Sequence, residues 1–153
     1  MLAGEGDAME IADLPRGLTL NFDDAPTPEL RGALAREIND FHSRTVPHQS
    51  RRFGMRVTDG AGALMAGLVG VISWDWLFIE ALWVGDSLRG LGVGRHLMQK
   101  AEAHALMNGC HSAWLDTFQA RPFYEALGYE VFGELGQFPG GQNRYFMRRS
   151  LGD

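Results

Sequence analysis

An α/β domain, a mixed sheet flanked by helices, is the fold class these 153 residues predict. Three observations carry that prediction. Apolar runs of strand length recur at residues 64–72 and 77–84. A glycine-rich turn, Gly90 to Gly94, joins the second run to a segment with helical periodicity. Short strand and helix signals then alternate to the C-terminal end.

The length suits one domain, able to bury roughly two-thirds of its unfolded surface. Hydrophobic residues at 45% against 22% charged are the proportions of a globular chain. A net charge of −5 argues against a nucleic-acid partner, which calls for a basic face. Cys110 is the only cysteine, so no intrachain disulfide and no multi-cysteine zinc site can form. The five histidines fall in no metal-ligand motif, and no metal is expected.

Residues 1–15 are mostly small or acidic and read as a leader, partly disordered, before a single domain over 16–153. They lack a charged n-region followed by an apolar core, and nothing approaches a membrane span. A cytoplasmic protein with no membrane partner is expected. A homodimer is left open.

Residues 17–22 alternate apolar and polar and read as a first strand. Thr27 and Pro28 make a helix start, N-cap then N1, and Leu30, Leu34, Ile38 and Phe41 give an apolar stripe ending near Ser43. Residues 52–58 and 63–74 read as a hairpin turning at Asp59-Gly60. Its second strand is nearly all apolar, as for a strand buried on both faces. Trp74-Asp75-Trp76 leads tightly into the strand 77–84. In the helix after the glycine turn, Leu97, Met98, Ala101 and Ala105 form the apolar stripe, and Asn108-Gly109 ends it. A strand at 112–115, a short helix at 121–127, and strands at 129–135 and 144–149 complete the chain.

The glycine turn has the physics of an anion site. The first amides of a helix lack intrahelical acceptors, and the macrodipole adds partial positive charge there. Gly90, Gly92 and Gly94 have no Cβ, so a phosphate can approach the backbone and φ can be positive. Arg89 and Arg95 flank the turn and can add charge-assisted bonds. A Walker loop would need Gly-Lys-Ser/Thr where this chain has Gly94-Arg95-His96. A dinucleotide fold would need a glycine in place of Arg95 and more chain after the turn, although Asp116 sits near the position of a ribose-binding acid.

The segment Ala120-Arg121-Pro122-Phe123-Tyr124-Glu125-Ala126-Leu127-Gly128-Tyr129 resembles the A-x-x-F-Y-x-x-L-G-[FY] motif of the GNAT family of N-acetyltransferases. Arg89-Gly90-Leu91-Gly92-Val93-Gly94 resembles that family's R-x-x-G-x-G/A pyrophosphate loop, with every fixed position matched. The likeness is strongest over residues 77–133. It implies the GNAT acyl-CoA N-acyltransferase fold, a splayed mixed sheet, and direct acetyl transfer from acetyl-CoA to an amine without a covalent acyl-enzyme.

By the same resemblance, the pantetheine arm lies against Leu82, Trp83 and Val84, and the pyrophosphate rests on the amides from Gly90 through Leu91, Gly92, Val93 and Gly94 to Arg95. Phe123 and Tyr124 lie beside the cofactor, and Tyr124 matches a tyrosine near the departing sulfur. Thr117 stands where the family usually carries an asparagine. His96, in the first turn of the helix, is a further candidate contact.

The acceptor amine must lose a proton. An alkylamine with pKa near 10 is about one part in a thousand neutral at pH 7, so a base is the main chemical requirement. Glu80 is the first candidate, and its catalytic and solvated readings both stay open; Asp75 and Asp116 are alternatives. Trp74, Trp76, Trp83 and Phe138 could wall a cationic acceptor or belong to the core. The expected acceptor is a small-molecule primary amine, with a peptide or protein amine as second choice. A CoA-binding module without turnover is the rival from another class.

Overall fold

A computed structural model describes residues 14–47 and 49–152. Most of the expected leader, and His48, lie outside them. The chain forms two compact units, residues 1–45 and 46–153.

In the first unit the helix α1 (Pro28–His42) begins as its sequence predicts. Thr27 is the N-cap, and its Oγ1 accepts from the Leu30 amide at 3.2 Å. No residue of α1 is buried, its stripe included. The strand expected at 17–22 does not form: Gly17 takes φ +88°, and residues 18–22 join no ladder. Six alternating residues specify a strand only when another strand pairs with them.

The second unit is a mixed six-stranded sheet. Its strands are β1 (Ser50–Thr58), β2 (Leu64–Ser73), β3 (Trp76–Val84), β4 (Ser112–Thr117), β5 (Glu130–Gly136) and β6 (Asn143–Ser150). They lie in the order β1-β2-β3-β4-β6-β5. Only β3 and β4 run parallel, joined by the crossover helix α2 (Val93–Met107). A short helix α3 (Arg121–Ala126) follows β4. Between β2 and β3 the chain turns in two residues, and Trp74 takes φ +51° there.

One face of the sheet carries the core. Leu68, Ile72, Leu77, Ile79, Ala113, Leu115 and Met147 pack with Leu97, Met98, Ala101 and Ala105 of α2, the predicted stripe. Tyr124 of α3 and Tyr129 belong to the same cluster. The strand β2, expected to be buried on both faces, alternates between buried and half-buried residues. Its Val69 and Val71 lie on the face away from α2. Among the described residues no helix is long and apolar enough to cross a membrane.

Candidate active site

A parting of two strands and a kink in one of them build the site. Parallel pairing of β3 with β4 covers only Trp76 to Phe78 against Ser112 to Trp114. Beyond Phe78, β3 keeps β2 on one side while its other edge pairs with no strand among the described residues, and a cleft opens between β3 and β4.

A bulge lies on β3 where the cleft begins. Gly70 pairs with Ile79 and Val69 with Ala81, so Glu80 is the extra residue. Alternation breaks there: Leu77 and Ile79 are buried, and both Glu80 and Ala81 are exposed. The bulge thereby turns Glu80 to the face away from α2.

Glu80 does not stand free. Arg52 of β1 reaches across β2 and donates twice, Nε to Oε2 at 2.9 Å and Nη2 to Oε1 at 3.0 Å. The carboxylate in turn holds the guanidinium above its ordinary pKa. Across the cleft the arrangement repeats. Asp116 of β4 accepts from Arg144 of β6 at 2.6 Å, and the guanidinium lies 4.2 Å from the Phe138 ring and 5.5 Å from Phe118. Asp116 thus ties β4 to β6 through Arg144. The buried Nε of Arg144 finds no acceptor among the described residues.

Tyr124 lies on the core side. It is 8% exposed, its ring meets Phe123 edge-on at 5.0 Å, and its hydroxyl has no hydrogen-bond partner among the described residues. Burial, and then the charge of Asp116, push its pKa up to about 12. At any ordinary pH it is a phenol with a proton to donate.

The glycine turn closes one end of the cleft. A 3-10 turn, Asp86–Leu88, leads to Gly90 at φ +77° and Gly92 at φ +79°, and Gly92 is the N-cap of α2. Only glycine takes this conformation without strain, and a Cβ at either position would meet nothing within 4 Å. The first helical bond runs from the His96 amide to the Gly92 carbonyl at 3.0 Å. The amides of Gly90, Gly92, Val93, Gly94 and Arg95 donate to no acceptor among the described residues. Leu91 departs from the expected set, because its amide donates to the Leu88 carbonyl at 3.4 Å. Such a cluster of bare amides fits a diphosphate.

Around it, Arg89 is tied back to β3 by a bond from its Nε to the Val84 carbonyl at 3.3 Å. The side chains of Arg95 and His96 are exposed. Gly94 is buried where a Cβ would press on Phe123 at 3.3 Å and Val84 at 3.4 Å. Leu82 and Val84 face the core, and Trp83 faces outward, 49% exposed. Thr117 ends β4, and its Oγ1 accepts from the Ala120 amide at 3.1 Å, leaving its own hydroxyl proton to donate.

Other expectations scatter. Asp75 lies at the paired end of β3 and bonds His111 Nε2 at 3.0 Å, away from the cleft. Trp74 and Trp76 belong to that same end, so the four-membered aromatic wall does not assemble. Burial raises the pKa of the Cys110 thiol, as for an inert core cysteine. Arg52 and Arg144 were not singled out from the sequence. The alternation of Arg52, Gly54 and Arg56 with Phe53, Met55 and Val57 puts the arginines on one face, but only the register pairs Arg52 with Glu80.

A sheet split by a bulged strand, with bare helix-start amides at the mouth of the split, defines an acyl-CoA transferase architecture. Comparison with known proteins agrees. Residues 17–129 match the acetyltransferase (GNAT) family. A blasticidin-S acetyltransferase of Streptomyces morookaense is 33% identical over 141 residues, covering 90% of this chain and 98% of that one. A crystal structure from Agrobacterium tumefaciens superposes with a TM-score of 0.82 at 24% identity, over 88% of this chain and all of the other. An aminoglycoside 6′-N-acetyltransferase complexed with coenzyme A superposes at 0.60 with 17% identity, over 81% and 87%. The chain belongs to the GNAT family and is an acetyl-CoA-dependent N-acetyltransferase.

Proposed function

We propose that the protein moves the acetyl group directly from acetyl-CoA to the primary amine of a small molecule, with Glu80 as the base and Tyr124 as the donor at the sulfur. Acetyl-CoA supplies the acyl group already activated as a thioester. The observation that supports the reading is an exposed carboxylate, Glu80, at the bulge of β3 and a buried phenol, Tyr124, in α3.

Glu80 takes the ammonium proton, directly or through a water, and Arg52 holds its carboxylate in one orientation. The phenol of Tyr124 does not give up its proton. From a pKa of about 12 to a thiol near 8.5, transfer is uphill by about 5 kcal/mol. Its role is a hydrogen bond to the sulfur as negative charge gathers there. The amides of Gly90 and of Gly92 to Arg95 hold the diphosphate, with Arg95 as a free cation beside them. Thr117 offers its hydroxyl proton, and Leu82 to Val84 offer their backbone, to the pantetheine arm.

The small-molecule acceptor rests on the blasticidin-S acetyltransferase, which this chain matches over nearly all of that protein's length. The work is done in the cytoplasm, where acetyl-CoA is made available. The test is a turnover screen following free thiol release over pooled amines, with blasticidin S among the first. Turnover that is lost in Glu80→Gln while CoA affinity is kept supports the reading. CoA binding without turnover of any amine overturns it in favour of a binding module.

A further inference from the structure

No polar group of the protein holds the Tyr124 hydroxyl. Among the described residues the only wholly buried side-chain nitrogen or oxygen without a partner is Arg144 Nε, so the unpartnered Tyr124 oxygen is not sealed in and reaches a surface. Where the phenol points is therefore set by its backbone and by two rings that meet it edge-on, Phe123 at 5.0 Å and Tyr129 at 6.0 Å. Phe123 is only partly buried, whereas Tyr129 is 3% exposed. The Tyr129 amide also donates to the Tyr124 carbonyl at 3.0 Å. Of the two supports, Tyr129 is the firmer.

Tyr129 is fixed in turn from its far side. Its hydroxyl donates to Glu102 Oε1 at 3.0 Å, and Glu102 Oε2 accepts from Arg149 Nη1 at 2.8 Å. Arg149 lies across the turn after α3, where a Cβ on Gly128, at φ +91°, would touch its Nε at 3.5 Å. The contacts therefore run from α2, whose first turn carries the bare amides, through Glu102 and Tyr129 to the ring of Tyr124. Packing alone does not ask for them. Apolar side chains at both positions would fill the same space, and such replacements of a buried charge are often no less stable. What the polar pair adds is direction. A phenol bonded to a carboxylate keeps one ring orientation, and a carboxylate bonded at both oxygens keeps one rotamer.

We propose that Glu102 and Tyr129 are positioning residues of the acyl transfer. Their hydrogen bond ties the helix that begins at the glycine turn to the ring standing against Tyr124, and so keeps the Tyr124 hydroxyl aimed at the departing sulfur. The inference rests on the donor role of Tyr124 proposed above. Both ends of the cofactor are then referred to one element: the diphosphate to the first turn of α2, and the sulfur, through Glu102 and Tyr129, to its third. A hydrogen bond to developing charge weakens steeply with distance and angle, so a loosened Tyr124 costs rate and leaves cofactor affinity alone.

The test is a double-mutant cycle on rate. Tyr129→Phe keeps the ring and deletes only its bond to Glu102, and Glu102→Gln, the milder change, keeps an acceptor for the phenol. Each is made alone and on Tyr124→Phe. The single-turnover rate of thiol release from acetyl-CoA is measured with blasticidin S, or with the pooled amine that turns over fastest. Tyr124→Phe is expected to lower that rate about tenfold, Tyr129→Phe about fivefold and Glu102→Gln about twofold, with CoA dissociation constants within about twofold of wild type. On Tyr124→Phe, neither second change should move the rate by more than about 1.5-fold, because the hydroxyl that they position is gone. A merely structural role would slow both backgrounds alike. Equal losses in the two backgrounds, or a Tyr129→Phe at full rate, overturn the positioning while leaving acyl transfer and the donor role intact. A Tyr124→Phe at full rate overturns the donor role and the positioning with it. Absence of turnover with every amine despite CoA binding overturns the reading of function, and this inference falls with it.

Discussion

Arg52 and Glu80 meet through two parallel hydrogen bonds, 2.9 and 3.0 Å, although a whole strand lies between them. Such a fork holds a carboxylate by both oxygens and leaves its outer lone pairs to a third group. The pair is open to solvent, so its worth lies in orientation, since exposed ion pairs add little to stability. Glu80→Gln should therefore lower kcat/KM for the amine by about 10²–10³ and leave the CoA dissociation constant within twofold. Arg52→Met should lower kcat by about tenfold with the same unaltered CoA affinity, and Arg52→Lys should recover only part of it. Steady-state kinetics and calorimetric titration with CoA check both.

The glycine turn yields a prediction about binding alone. Gly92 must adopt φ +79° as N-cap, and a Cβ there costs about 1–2 kcal/mol of backbone strain, which shifts the turn that holds the bare amides. Gly92→Ala is expected to weaken CoA at least tenfold. Arg95→Gln, which touches no backbone conformation, should weaken it about fivefold and make the affinity less sensitive to salt. Titrations at two ionic strengths separate the two effects.

Tyr124 gives a pH signature. Its pKa is about 12 when folded and about 10 when unfolded, so between those values the native chain holds a proton that the unfolded chain has lost. Stability is therefore unaffected below pH 10 and falls as pH rises from 10 toward 12, by up to about 3 kcal/mol from this group. Tyr129, raised by burial and by Glu102, acts in the same direction. Tyr124→Phe should leave stability at pH 8 within about 0.5 kcal/mol, because the hydroxyl bonds no protein group. It should also make the decline between pH 9 and pH 11 shallower. Urea midpoints at those pH values measure it.

Much of this arrangement was legible before any coordinate. The stripe of α2 and the turn before it follow from periodicity and glycine chemistry, because one helix face and one helix start determine them locally. Thr27 and Pro28 likewise fix the start of α1. Pairing was not legible. Residues 17–22 have the alternation of a strand but no ladder, and nothing local to six residues reveals whether a partner strand exists. The bulge at Glu80 is a mismatch of count between two strands, and so neither strand shows it alone. Arg52 alternates with apolar neighbours in β1, but only the register of the sheet sets it against Glu80. The cleft has the same character: β3 and β4 look like continuous strands in sequence, and only their divergence after Phe78 creates the site.

Glu102 of α2 is 8% exposed and joins the helix to β6 and to Tyr129, just before β5. Its Oε1 accepts from the Tyr129 hydroxyl at 3.0 Å and its Oε2 from Arg149 Nη1 at 2.8 Å. Tyr129 is buried, whereas Arg149 remains partly exposed and can turn to water. Removing the carboxylate therefore costs mainly the stranded phenol, and the ion pair is discounted for screening. Glu102→Ala is expected to destabilise by about 2–3 kcal/mol, lowering Tm by roughly 6–10 °C for a chain of this size. Glu102→Gln keeps an acceptor for the phenol and should cost about 1 kcal/mol. Because an unpaired buried hydroxyl is worse than none, Tyr129→Phe added to Glu102→Ala should cost less than the two changes summed, by about 1 kcal/mol. Additive losses in denaturant titrations of the four chains would show that the two side chains are not coupled.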